Sequence, residues 1–530
     1  ISSPVIVAAD AELATLAVDG RVTELAARLD RIANDRTISD VAQEWLLDRG
    51  LHSLAQLEPT PRARETVQRL VSRAPVVYTR IDPDHGDRAT PLYDAGATAR
   101  FVLRHWDRGA ARDVAAPPYD IIDAAGQKAL YDRNPHNVIR LELGMDQAGD
   151  GPTNNRYTRA GATLSQWMQS GALKRDPQPT IYYHTIEYVP PGADPKGPRK
   201  TLRGFIATFK LEEFGTGAIY PHENTRAAAK TDRLNLMEAC RANFSPIWSL
   251  YSDPQDTILS ALAQAAKSTA PCVEFRDDVG FEQRLWAISD PAITQKVVAT
   301  MASKPIFIAD GHHRYETALN YQKLRRQQAG NVQGLQPYDT VLMLLTPIED
   351  PGLTVLPTHR VTTTPLPSFD QMKALFADTF DMQEYPFTSQ TQTAVRIQFI
   401  DAMRTQGRTT PMFGLALKGR EAYLTLALKS AHRPPASASP RTKLDVSLLQ
   451  QLVVAKLCPT QQEQEAILYT KDDHEALDWA ANGTGTGALL LNATKVSEVK
   501  DVATAGERMP HKSTYFFPKP LTGLVMNVME

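Results

Sequence analysis

The chain has 530 residues, 42% of them hydrophobic and 22% charged, with a formal net charge of −2. That length suggests roughly three domains of ordinary size, and that balance describes a foldable globular chain. A charge this even gives no global pull toward nucleic acid or an anionic membrane, and no apolar run approaches the ~18 residues of a membrane helix.

The start, "ISSPVIVAADAELATL", has no basic stretch followed by a long apolar core, so no signal peptide is expected. It also lacks a methionine, as expected of a chain that begins inside a longer one. Cys240, Cys272 and Cys458 are far apart and odd in number. Neither a disulfide framework nor a CxxC-type zinc site is expected. A reduced, cytoplasmic protein is the simplest reading.

In chain order, residues 1 to about 75 read as helices. "DAELATLAVDGRVTELAARLDRIAND" and "ISDVAQEWLLDRGLHSLAQLE" repeat apolar residues at three- and four-residue spacing. Paired helices of this kind resemble a fragment of a HEAT-type solenoid, and a small bundle gives the same pattern. "ATPLYDAGATARFVLRHW" reads as one more helix. The texture changes near residue 108, where Pro117 and Pro118 make a stiff turn, a short helix follows, and "NVIRLEL" reads as a strand. "RYTRAGATLSQWMQSGAL" is an amphipathic helix ended by Gly171. "TIYYHTIEYV" and "TLRGFIATFKLEEF" read as strands of a long hairpin. Helices are expected near 255–267 and 291–301, with strands near 272–276, 283–288 and 305–309 and a helix from about 312. Beyond 340 come the buried strand "DTVLMLLTPI", a helix in "PSFDQMKALFADTF", and a hairpin turning at Lys418 and Gly419. "SAHRPPASASPRTK" reads as a mobile loop, "VSLLQQLVVAKL" as a helix and "GALLLNAT" as a strand. Strands and helices thus alternate through residues 108–530, which gives an α+β (mixed α/β) body behind an all-α N-terminal segment.

The densest chemistry lies in "KPIFIADGHHRYETALNY", residues 304–321. The order is strand, polar turn, helix. A helix start leaves backbone N–H groups free and carries about half a positive charge, which favours an anion. Gly311 lets a ligand approach the backbone, and Arg314 can fork two hydrogen bonds to a phosphate. Asp310 can cap the helix or hold a Mg²⁺ that bridges phosphates. His312 and His313 point about 100° apart on a helix, so they cannot share one metal; one can face a ligand and the other the core. An ordinary capped helix with a polar start fits the same string.

A second concentration is "YPHENTRAAAKTDRLNLMEACRANFSP". His222 beside Glu223 at a loop edge suits acid/base work, and Lys230 with Arg233 suits phosphate binding. Arg226, Lys230 and Arg233 also fall at the spacing of a solvated helix stripe. Weaker candidates are Tyr119 and Asp120 in "APPYDII", His359 and Arg360 in "LPTHR", and Lys512, Ser513 and Thr514 in "PHKSTYFFPK". The last lacks the two glycines of a P-loop, and no GxGxxG, GxSxG, HExxH or EF-hand pattern occurs.

Taken together, "AAPPYDII", "NPHNVIRLELG", "GAIYPHENTRAAAKTDRLNLMEACRANFSPI", "FIADGHHRYETAL", "LPTHRV" and "GERMPHKSTYFFPKPLTGLV" resemble, in order, the bacterial and archaeal family called domain of unknown function 1015. The resemblance covers about residues 100–530. It leaves residues 1–100 as an added helical segment, 101–350 as a nucleotide-binding body and 351–530 as a C-terminal α+β part. The Asp-Gly-His-His-Arg string is similar to the phosphate motif of the ParB/sulfiredoxin superfamily, whose free-serine kinases open a helix with such a turn. Carried over by position, Asp310, Gly311, His312, His313 and Arg314 would hold phosphates and Mg²⁺, with Asp310 as the metal contact. Glu223, with His222 beside it, would be the catalytic base, and Lys230 and Arg233 would add phosphate contacts. No cysteine stands in the turn, which argues against sulfinic-acid repair. The implied activity is a kinase using ATP or ADP, with CTP as a further candidate, on a small hydroxyl acceptor, serine first. The alternative is a ParB-type nucleotide switch. Residues 1–100 are the expected docking part for a protein partner; neither direct nucleic-acid binding nor a membrane segment is expected.

Overall fold

Alternation of apolar side chains builds the centre of the protein. The computed structural model describes residues 111–530 except 177, 224, 226, 331 and 530, together with strand Arg100–Val102 and three isolated positions nearer the start. The helical reading of residues 1–75 lies outside the described residues. Nearly all described residues belong to one compact unit, Thr90–Glu530, which is mixed α+β.

Strands Ile181–Tyr188 (β1) and Lys200–Lys210 (β2) form the expected hairpin, with Tyr182 opposite Ile206. Ile219–Tyr220 (β3), helix Ala227–Cys240 (α1), Ile247–Tyr251 (β4) and helix Thr257–Ala266 (α2) follow. Then come Val273–Arg276 (β5), Glu282–Ile288 (β6), helix Pro291–Met301 (α3), Ile306–Asp310 (β7), helix His312–Ala329 (α4) and Thr340–Pro347 (β8). The strands form one sheet in the order β3-β7-β4-β8-β2-β1-β6-β5. Successive side chains of a strand point to opposite faces, and β8 shows the consequence. Val341, Met343 and Leu345 enter a core closed by Leu259 and Leu262 of α2, Val297 and Met301 of α3, and Tyr315 and Leu319 of α4. Leu342 and Leu344 enter the core on the other face.

That second core is shared with a smaller sheet. Its strands are His359–Thr362, Phe380–Pro386, Met412–Leu417, Ala422–Leu428, Leu468–Thr470 and Gly487–Leu491, and Phe413, Leu415, Leu424, Leu426 and Leu489 pack from it. The hairpin expected at Lys418 and Gly419 is present, with Gly419 at φ 74°. A two-stranded ribbon pairs Thr354–Leu356 with Tyr515–Phe517, which brings the C-terminal segment back over the large sheet.

Three local expectations are corrected. Residues 137–143 do not form a strand; Ile139–Glu142 is a short helix. The buried Asn137 carboxamide accepts from Ile139 N and donates to the Asp113 and Ala115 carbonyls, so a side-chain-directed turn overrides the apolar alternation. Within the expected helix of "ATPLYDAGATARFVLRHW", residues Arg100–Val102 are a strand paired with Val525–Val528. The Pro/Ser-rich stretch 430–443, expected as loop, contains two helical turns, Ser430–His432 and Pro440–Lys443, each closed by local backbone hydrogen bonds.

Candidate functional site

The site begins where β7 ends. β7 pairs in parallel with β3 and antiparallel with β4, and the register to β4 shifts between Ile308 and Asp310. Such a bulge ends pairing and re-aims the chain. Gly311 then turns at φ 98°, and α4 starts. Only glycine takes that conformation cheaply, and a Cβ there would stand 3.0 Å from the Arg314 guanidinium. The α4 start has no side-chain cap, so Asp310 does not play the capping role open to it in the sequence.

The Asp310 carboxylate is instead held between cations. Lys519 Nζ bonds one oxygen and Arg314 Nη2 the other, the latter at 3.1 Å. Burial favours the neutral acid, but the Lys519 and Arg314 charges outweigh it and hold Asp310 well below the usual carboxylate range. Lys519, almost buried, also lies 3.8 Å from Asp120 and over the Tyr515 ring. Burial alone would lower its pKa, but Asp310 and Asp120 raise it. Arg314 points inward as well: Nη1 donates to Ser245 Oγ at 2.9 Å and to the Pro246 carbonyl at 2.8 Å.

His312 is the histidine that faces the core. Its Nε2 accepts from the His222 backbone N–H at 3.2 Å, and the two rings meet edge to face at 4.6 Å. His222 Nδ1 lies 2.7 Å from the Ile308 carbonyl and its Nε2 lies 3.1 Å from Thr514 Oγ1. A carbonyl only accepts and a backbone N–H only donates, so the partners assign a proton to Nδ1 of His222 and none to Nε2 of His312. Burial lowers both pKa values, that of His312 to about 3. Both rings are therefore neutral near pH 7, and His222 carries no proton to give at Nε2. His313 is partly buried on the first turn of α4.

Glu223 stands at the edge of this group. Its Oε1 lies 3.3 Å from His511 Nδ1 and accepts from Lys512 N at 3.4 Å. Burial raises the carboxyl, but the His511 bond leads the effects that lower it, and the result is about 2. A carboxylate held there is a weak base at neutral pH.

Lys230 and Arg233 do not converge on the turn as free cations. Lys230 pairs with Glu316 at 2.8 Å. Arg233 is neither solvated nor open: it is 6% exposed, bonds the Glu142 carbonyl at 2.9 Å and Asp232 at 2.6 Å, and lies over the Tyr119 ring. Ser245 Oγ donates to Glu142 and accepts from Arg314, so one chain of bonds runs from Asp310 to Arg233. A small pocket lies along it, lined by Glu142, Arg233, Ser245, Arg314, Met237 and Thr317.

The segment 508–519 completes the site. Arg508 donates to the Pro221 carbonyl at 2.6 Å and Met509 N to the His222 carbonyl at 2.7 Å. Arg360, buried in the smaller sheet and pushed down to about 10 by burial, donates to the Lys512 carbonyl at 3.2 Å. Its neighbour His359 turns away, to 3.2 Å from Asp473. Stretches distant in sequence thus meet here: 119–120, 139–142, 222–223, 230–233, 245–246, 310–316, 360 and 508–519. Sequence reading missed Lys519, Arg508, His511 and Glu142. The signal that was present was the cluster of basic residues among prolines in "ERMPHKSTYFFPK", set aside because it lacks P-loop glycines.

Among the described residues no group of three or more His, Cys, Asp or Glu gathers as a metal site. Asp310, the expected metal contact, faces a lysine and an arginine. With Asp310 already paired to two cations, the residues present do not fit a resident metal ion at that carboxylate.

The fold and site define a mixed α+β protein organised around a strand–glycine–helix turn ringed by cations. Residues 102–447 match the model of the family described as protein of unknown function DUF1015, and the chain belongs to that family. Solved structures similar to it include a free serine kinase in complex with AMP, at 12% identity and a TM-score of 0.30, covering 59% of this chain and 86% of that one. A conserved hypothetical protein from Pyrococcus furiosus matches at 13% identity and a TM-score of 0.29, over 61% of this chain and 95% of that one. SbnI with a C-terminal truncation, from Staphylococcus aureus, matches at 10% identity and a TM-score of 0.29, over 59% and 82%. Comparison with curated proteins finds no match. Among the described residues no helix is long and apolar enough to cross a membrane.

Proposed function

We propose that this protein is a nucleotide-dependent phosphotransferase with a ParB/sulfiredoxin-like core, acting on the hydroxyl of a small acceptor, serine being the first candidate. The observation that carries the reading is the uncapped start of α4 behind Gly311, with cations around it and the Glu223–His511 pair beside it. The Asp-Gly-His-His-Arg string, similar to the phosphate turn of free-serine kinases, supports the same reading. In this proposal the first-turn N–H groups of α4 receive phosphate oxygens of ATP or ADP. The acceptor oxygen forms a bond to the terminal phosphorus as the bond to the nucleotide leaving group breaks. The hydroxyl proton passes to Glu223, which needs His511 to release it first. Lys519 and Arg314 hold the turn in shape by fixing Asp310. Transfer of this kind depends chiefly on positioning and charge.

The test is phosphoserine formation from ATP or ADP in Mg²⁺ buffer, followed by ³¹P NMR. Product with the wild type and none with Glu223→Gln, which still binds nucleotide, supports the reading; no product and no nucleotide binding removes it. One observation favours a second reading, a ParB-type nucleotide switch: Glu223 Oε1 is tied to His511 Nδ1 and to Lys512 N, which suits a carboxylate that holds the 508–519 segment better than a base. That reading has residues 1–100 as a partner-docking part in the cytoplasm. It expects nucleotide-dependent self-association, with CTP included in the trial, and no phosphorylated acceptor.

A further inference from the structure

Most cations around the turn and along α1 are already neutralised inside the protein. Arg314 and Lys519 face Asp310, Arg233 faces Glu142 and Asp232, and Lys230 faces Glu316, all within ion-pair distance. Arg508 differs. Among the described residues its guanidinium makes one hydrogen bond, to the Pro221 carbonyl, rests over the Phe214 ring at 5.4 Å, and meets no carboxylate within ion-pair distance. A guanidinium has five N–H donors. Arg508 is half-buried, and none of its nitrogens is a buried group without a partner, so the remaining N–H donors stay open to solvent and to a ligand.

Its position is as informative as its lack of a partner. Pro221 follows β3, which runs parallel beside β7, so Arg508 reaches the end of the sheet where Gly311 turns. Its charge acts on His222 and His312, and Glu316 of α4 acts on it in turn. The placement is fixed from both sides. Buried Met509 ties the segment to His222, and Arg360 ties it to the smaller sheet through the Lys512 carbonyl. Arg508 stands beyond the 102–447 stretch that matches the family model.

We infer that Arg508 receives a phosphate oxyanion of the bound nucleotide, as the guanidinium left open when those of the turn and α1 are internally paired. The inference rests on the nucleotide reading above and assigns its phosphate contact to the C-terminal segment. Glu223→Gln plays no part in the test, so the inference can fail while the nucleotide reading stands.

The experiment is calorimetric titration of ATP, and separately of inorganic tripolyphosphate, into the full wild-type chain and into the same chain carrying Arg508→Gln or Arg508→Lys. The expected result is at least tenfold weaker binding of both ligands to Arg508→Gln, partial recovery in Arg508→Lys, and an apo melting temperature unchanged in both. The salt dependence of binding should also flatten in Arg508→Gln, since one cation fewer meets the phosphates. Wild-type affinity for both ligands in Arg508→Gln overturns the inference and leaves the nucleotide reading standing. So does loss of affinity that comes only with a large fall in apo melting temperature, unrelieved by lysine, because that is a structural role. Weaker ATP binding with tripolyphosphate unaffected also overturns it, since the contact is then not to phosphate. If the wild type binds neither ligand, both ideas fall together.

Discussion

The turn 310–314 and the segment 508–519 face each other across the same site, and they disclose themselves in opposite ways. The turn announces its chemistry in sequence through glycine, two histidines and an arginine after a strand. In the structure most of its side chains face inward: Arg314 to Ser245 and Pro246, His312 to His222, Asp310 to Lys519. The C-terminal segment matches no phosphate motif, yet it supplies Lys519, His511, Thr514 and Arg508. A recognisable motif here builds the backbone of the site, while the less recognisable segment brings the charge that is still open.

That contrast can be broken most forcefully at Lys519. Lys519→Met leaves Asp310 without its closest cation, and removing one partner of a largely buried pair costs about 3 kcal/mol. Urea denaturation should show it, and Asp310→Asn in the same chain should restore part of the loss. Gly311→Ala should cost about 1–2 kcal/mol by the same measurement, because φ 98° lies where a Cβ is strained. If it costs nothing, the turn is not held as described.

Acidification probes the histidine pair. Folded His312 titrates at about 3 and its unfolded counterpart near 6.5, so the unfolded chain binds that proton first as pH falls. Its contribution is complete above about pH 6.5 and is lost between 6.5 and 3. Glu223, lowered from 4.5 to about 2, adds a loss in the same direction between those two values. Melting temperature against pH should therefore fall less steeply below pH 6.5 in His312→Gln than in the wild type. The smallest stability effect belongs to Arg508→Gln. No carboxylate is stranded by it, so the apo protein should unfold within about 0.5 kcal/mol of the wild type.

The strands and helices of the large sheet were legible because their apolar periodicity is strong: β1, β2, β8 and α2–α4 all lie where the pattern put them. The short helix Ile139–Glu142 was not, since Asn137 decides it through hydrogen bonds to Asp113 and Ala115, which no periodicity records. At the site, the inward role of one histidine followed from helical geometry. The pairing of Arg233 with Glu142, and of Lys519 with Asp310, did not, because those partners lie 91 and 209 residues apart. Charge in sequence shows which residues can bind a phosphate; only the fold shows which of them are already occupied.

The central claim is that this site binds nucleotide phosphates. A thermal-shift titration with ATP, ADP and CTP, each with and without Mg²⁺, tests it most directly, because a ligand that binds the native state raises its apparent stability by mass action. The account predicts a concentration-dependent rise in melting temperature with at least one nucleotide, reduced in Arg508→Gln. A flat response to all three contradicts it.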